Sequence, residues 1–156
     1  MTTNRFPKLG EWITEIEKID TAAASYLRQK KWSKAINALF DRANFGLLTP
    51  EKEFKEKRKF AVAIYQLSKD IRNTKGKGLA LSLLARHLIK DQDYELAYRL
   101  LLLTKDLLTN GMEWIGVKEV YNLFPKSTLE MLRNRNTSFN DDSDSLAIMF
   151  IEKYGL

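Results

Sequence analysis

The sequence has no cysteine, one histidine and only three prolines among its 156 residues. Lack of cysteine excludes a disulfide scaffold and thiolate zinc sites. A lone His87 has no second imidazole with which to share a metal. Its longest leucine run, Leu100–Leu103, is far too short to span a bilayer. The opening Met-Thr-Thr-Asn-Arg-Phe-Pro lacks the apolar centre of a signal peptide. These absences lead us to expect a soluble, cytoplasmic chain with no membrane partner, no metal and no cofactor. No stretch alternates polar and apolar residues long enough to argue for a sheet.

What is present is helical periodicity. Hydrophobic residues make up 44% and charged residues 29%, enough for one globular domain over 1–156 with its own core. Trp12, Ile16, Ile19, Ala23 and Leu27 recur at three- and four-residue steps and predict a first helix over 11–29. Trp32, Ala35, Ile36, Leu39 and Ala43 predict a second, after a tight turn at Lys30-Lys31. Thr49-Pro50, followed by Glu51 and Glu53, reads as the start of a long third helix. Phe60, Ile64, Leu67 and Ile71 form its buried arc, and the glycines of 74–78 end it.

Further helices are expected over 79–90, 93–109, 113–124, 127–133 and 143–154. The fifth is apolar around most of its circumference, which predicts a central position or a covering partner. Ser127-Thr128-Leu129-Glu130 spells a capping box, and Ser143 or Asp144 offers a cap for the last helix. The polar stretch 134–145 is expected to be a mobile loop. The fold class is therefore all-α, a compact bundle of seven or eight helices built from antiparallel hairpins.

Two segments carry small and aromatic residues in a recognisable order. One is Tyr26-Leu27-Arg28-Gln29-Lys30-Lys31-Trp32-Ser33-Lys34-Ala35-Ile36, continuing to Ala43. The other is Leu84-Ala85 with Asp93-Tyr94-Glu95-Leu96-Ala97 and Leu101. Together they resemble tetratricopeptide helix hairpins over about half the chain. Thr104 stands where a small residue is usual, and Trp32 and Tyr94 are not separated by a whole number of that family's repeats. The resemblance implies a scaffold for other protein subunits.

Catalytic candidates are few. His87 sits in a helix with no motif around it, so an ordinary structural role is expected. Asn140, Asp142 and Asp144 begin like a calcium loop, but Ser145 replaces the required glycine and Ile151 the bidentate glutamate. Lys75-Gly76-Lys77-Gly78 has glycines that let a backbone approach phosphate; without the P-loop spacing it reads better as a helix stop and flexible link.

Charge is the clearer signal. The net charge is +6, and residues 50–78 hold nine basic against four acidic side chains. Lys52, Lys55, Arg58, Lys59 and Lys69 define a basic face on the third helix, with Lys75 and Lys77 at one end. Arg28, Lys30, Lys31 and Lys34 extend it if the first hairpin lies alongside. Such a face grips the phosphate backbone of RNA or DNA without reading bases. Few aromatics interleave with these lysines, which argues against a stacking platform. The sequence thus points to a non-enzymatic adaptor or assembly subunit that binds other proteins and nucleic-acid backbone. The alternative is a small nucleic-acid-binding subunit; in size, charge and helical content the chain resembles the small subunits of RNA-guided bacterial defence complexes. An enzyme with an unrecognised carboxylate site is the remaining class.

Overall fold

The computed structural model describes residues 13–14, 16–18, 20–44, 49–107, 117–135 and 142–156. The fold is an all-α bundle, with no strand among the described residues. In chain order the helices are α1 (Thr21–Arg28), α2 (Trp32–Ala43), α3 (Phe54–Asp70), α4 (Thr74–Lys90), α5 (Tyr94–Leu107), α6 (Lys126–Asn134) and α7 (Ser143–Tyr154). A 3-10 turn, Glu51–Glu53, leads into α3, and residues 117–121 are also helical. From α1 to α5 each helix packs chiefly on its sequence neighbour, and α7 returns to lie against α4 and α5. No described helix is long and apolar enough to cross a membrane.

Three hairpins are closed by the same chemistry. At the end of α1, the Lys31 N–H donates to Tyr26 O and the Lys30 N–H to Leu27 O, at 2.9 and 3.2 Å. After α3, Asn73 and Arg72 donate to Ser68 and Lys69; after α4, Asp93 and Gln92 donate to Leu88 and Ile89. Each is a Schellman pair, which satisfies the last helical carbonyls and turns the chain in two residues. The residue at the apex is left-handed, with φ of 57° at Lys30, 57° at Arg72 and 65° at Gln92. Glycine is the usual occupant, because a Cβ there costs about 1–2 kcal/mol. Glycine also adds entropy to the unfolded chain, so the net gain from Gln92→Gly is expected to be about 0.5–1 kcal/mol. A rise in the urea midpoint at constant slope checks it.

Several expected boundaries shift. The first helix is interrupted at Asp20, whose extended backbone lets its carboxylate accept from the Ala23 N–H at 3.0 Å. Arg42 then holds that carboxylate at 2.9 Å, tying α2 to the start of α1. Pro50 precedes the 3-10 turn, so α3 proper begins four residues later, at Phe54. Helix α6 starts at Lys126 behind Pro125 with no side-chain cap, and the capping box is not made. Asp142, one residue before the expected caps, accepts from the Ser145 N–H at 2.8 Å. Helix therefore occupies both ends of the expected loop 134–145; residues 136–141 lie outside the described residues, as do 113–116 of the expected sixth helix.

The segment enclosed on all sides is the middle and later part of α3, residues 60–68, rather than α5. Residues 60–68 of α3 are buried without a break, whereas Leu102, Leu103 and Leu107 of α5 are only half-buried. Small residues Ala61, Ala63 and Ser68 let neighbours close on α3. Its polar groups are only partly paired: Tyr65 donates to Asp144 and accepts from Ser143 Oγ at 2.7 Å, and Gln66 donates to Asp70 at 2.8 Å, whereas Gln66 Oε1 and Ser68 Oγ are buried without a hydrogen-bond partner among the described residues. A composition count finds α5 the more apolar helix, but topology puts α3 between α2 and α4.

Candidate nucleic-acid interface

The basic residues lie toward the two ends of α3. Helix α3 has 17 residues and is about 25 Å long. Lys52, Lys55, Arg58 and Lys59 lie at its start and Lys69 at its end. Lys57 donates to the carbonyls of Arg42 and Asn44, both at 2.9 Å, so α2 runs antiparallel to α3. The α1–α2 turn therefore sits beside the α3–α4 turn. This brings Arg28, Lys30, Lys31 and Lys34 to the end that carries Lys69, Lys75 and Lys77, about one helix length from Lys52 and Lys55.

Partners divide these cations further. Arg58 pairs with Asp91 at 3.4 Å and lies 4.1 Å from the centre of the Tyr154 ring, with 18% of its side chain exposed. Lys69 donates to Asp144 at 2.7 Å, and Lys77 lies 5.8 Å from the Tyr65 ring centre. Burial works to raise the Asp144 carboxyl, yet hydrogen bonds from Lys69 and Tyr65 and the Lys69 and Lys77 charges hold it below the usual carboxylate range. Arg28 is paired with Glu17. Exposed at the turn end are Lys30, Lys31, Lys34, Lys75 and also Arg72, which the sequence reading did not single out. A cavity of about 150 Å³ joins the two turns there, lined by Ser33 and Asn37 of α2 and by Asn73 and Lys75.

Lys75-Gly76-Lys77-Gly78 is neither a stop nor a link. It lies inside the first turns of α4, which starts at Thr74. The Gly76 amide already donates to Asn73 Oδ1 at 2.9 Å, so that amide serves the cap. Gly76 is needed for packing. A Cβ at this position would sit 2.2 Å from Ser68 Oγ and 3.2 Å from Ile36 Cδ1.

His87 is fully buried between Phe54 and Phe150, with ring centres 6.1 and 6.2 Å away. Burial first, then the charges of Arg58, Arg86, Lys90 and Lys57, push its pKa down to about 3. It is a neutral core residue at physiological pH. Among the described residues no cluster of three His, Asp or Glu side chains is placed to hold a metal.

A second basic site was not foreseen. Tyr98, Leu102 and Lys105 of α5, Lys118, Tyr121 and Asn122, and Arg133 of α6 line a groove of about 500 Å³. The Arg133 guanidinium lies 5.6 Å from the Tyr121 ring centre. Tyr98 meets Tyr121 edge-on at 6.3 Å, and Phe124 stacks behind Tyr121 at 6.3 Å. Here aromatics and cations do interleave, but on the half of the chain with no net positive charge. The available signal was the i, i+4, i+7 spacing of Tyr98, Leu102 and Lys105.

The chain matches no protein-family model, no curated protein and no solved structure.

Proposed function

We propose that the chain is a non-catalytic helical subunit of a larger assembly, and that its turn end lies along a nucleic-acid backbone. The observation that carries this reading is the gathering of Lys30, Lys31, Lys34, Arg72 and Lys75, all exposed, around two neighbouring turns. Two of the five occupy left-handed positions where glycine would be more stable. A cation retained there at a cost to stability fits a role for the side chain itself. Exposed lysines and arginines of this kind hold phosphates without reading bases. Leu123 and Met131, 51% and 49% exposed, favour an additional protein contact on the C-terminal helices.

Fluorescence anisotropy with labelled single- and double-stranded RNA and DNA at two salt concentrations tests the reading. Lys31→Glu/Lys34→Glu/Lys75→Glu is expected to weaken binding by about tenfold or more and to flatten the salt dependence. Lys52→Glu/Lys55→Glu, at the far end, should leave it nearly unchanged. Lys30→Gly/Arg72→Gly should bind less tightly while unfolding at higher urea. Binding indifferent to the turn-end changes, or none even at low salt, overturns the proposal.

A further inference from the structure

We infer that the cavity between the starts of α2 and α4 is a seat for a single phosphoryl group; that the group belongs to a nucleic-acid strand rests on the reading of the turn end above. Both helices run opposite to α3, so they point the same way and their N-termini stand side by side. Helices of 12 and 17 residues thus aim the positive ends of their dipoles at one space. The first-turn amides of a helix have no intrahelical acceptor. In α2 the side chain of Lys31 caps none of them, and in α4 the Asn73 carboxamide oxygen is spent on the Gly76 amide. Side chains add to these donors. Ser33 and Asn37, one turn apart on α2, line the cavity together with Asn73 and Lys75. Hydroxyl and carboxamide groups donate to phosphate oxygens, and Lys75 brings a cation.

The inner wall points to a ligand independently of the helix ends. Ser68 is fully buried, and its hydroxyl has no hydrogen-bond partner among the described residues. A helical serine ordinarily bonds back to a carbonyl of the preceding turn. This one is turned toward the space that a Gly76 side chain would fill, 2.2 Å from that Cβ position, with Ile36 Cδ1 3.2 Å from the same point. Gly76 and Ile36 both line the cavity, so an unpaired donor faces its inner end, where glycine puts no side chain in the way. Size narrows the occupant. At about 150 Å³ the cavity is well below the roughly 300–1,000 Å³ of small-molecule sites. It is too small for a nucleoside and suits one phosphoryl group. Ile36 and Leu79 make the inner end apolar, which strengthens each hydrogen bond made there. Lys30, Lys31, Lys34 and Arg72, exposed around the two turns, are placed to hold the adjoining phosphates.

NMR titration with inorganic phosphate tests the seat, beside anisotropy with one oligonucleotide sequence carrying a 5′-phosphate, a 3′-phosphate or neither. Phosphate should shift the Gly76 amide and the Asn37 carboxamide resonances. Ser33→Ala/Asn37→Ala replaces two exposed side chains with a good helix former and keeps every charge. It should abolish those shifts and weaken strand binding about tenfold. Ser68→Ala, which removes a buried unpaired hydroxyl, should weaken binding about threefold while unfolding at no lower urea concentration. A terminal phosphate that adds about tenfold, with the advantage lost in Ser33→Ala/Asn37→Ala, identifies a strand end as the source. Equal weakening of all three oligonucleotides identifies the backbone. Phosphate shifts with no binding of any oligonucleotide support the seat and overturn the turn-end reading. No phosphate shift, or strand binding that falls with Lys31→Glu/Lys34→Glu/Lys75→Glu but not with Ser33→Ala/Asn37→Ala, overturns the seat.

Discussion

Lowering the pH from 7 to 5 should remove about 2 kcal/mol of stability through His87 alone, well before most carboxylates titrate. In the unfolded chain the imidazole takes a proton near its ordinary pKa of about 6.5; in the folded protein it resists until about pH 3. Between those values the unfolded state binds more protons, so acid favours unfolding. The stabilisation is fully present above about pH 6.5 and is lost progressively as pH falls toward 3. The cause is local. A charged ring would stand between Phe54 and Phe150 with four cations, Arg58, Arg86, Lys90 and Lys57, already acting on it. His87→Leu keeps an apolar side chain of similar size in place and should flatten the dependence between pH 7 and 5. Urea unfolding of both proteins at several pH values decides the matter. Equal slopes for the two would mean that His87 is protonated without strain.

Gly76→Ala should destabilise the protein by about 1–2 kcal/mol, although alanine is the better helix former by about 1 kcal/mol. The added methyl would lie 2.2 Å from Ser68 Oγ, 3.1 Å from Ser68 Cβ and 3.2 Å from Ile36 Cδ1. Rotation of the Ser68 hydroxyl would relieve the first contact but not the others, so α2, α3 and α4 must separate slightly. Gly76→Leu, with no space for three further carbons, should cost about 3 kcal/mol or more. In a Ser68→Ala background the Gly76→Ala penalty should shrink without vanishing, because the Cβ and Ile36 contacts persist. Thermal unfolding of the four proteins in this cycle measures the coupling. A Gly76→Ala protein more stable than wild type would show that helix propensity outweighs the close approach.

Gly76 also marks where sequence reasoning reaches its limit. As a local signal, Thr74 to Gly78 reads as a helix break, since two glycines in five residues disfavour helix. What makes the segment helical is Asn73, a good cap just upstream, and two packing partners eight and forty residues away in sequence. No short window contains Ile36. The same holds for Arg58, which reads as one of a surface row of basic residues until Asp91 and Tyr154 fold onto it. Helix class, the Lys30-Lys31 turn and the second helix were legible because they rest on spacing alone. The left-handed apexes were not, because lysine, arginine and glutamine stand where glycine would have announced them. The α5–α6 groove needed three segments to meet. Its cations are scattered singly through a stretch with no charge excess, so composition had nothing to register.

Because α1 to α5 pack mainly on their sequence neighbours, most of the bundle can assemble as a zipper. Three of its four connections are tight turns and the fourth, from Ala43 to Phe54, is short, so loop-closure entropy at each step is small. Helix α7 is the exception. Its clasps onto the bundle, Tyr65 to Ser143 and Tyr154 to Asp91, join positions 78 and 63 residues apart. Docking α7 is therefore the step that must close a large loop, and the Phe150 that covers His87 arrives with it. A chain emerging from the ribosome in order would build its hairpins first and seal its histidine last.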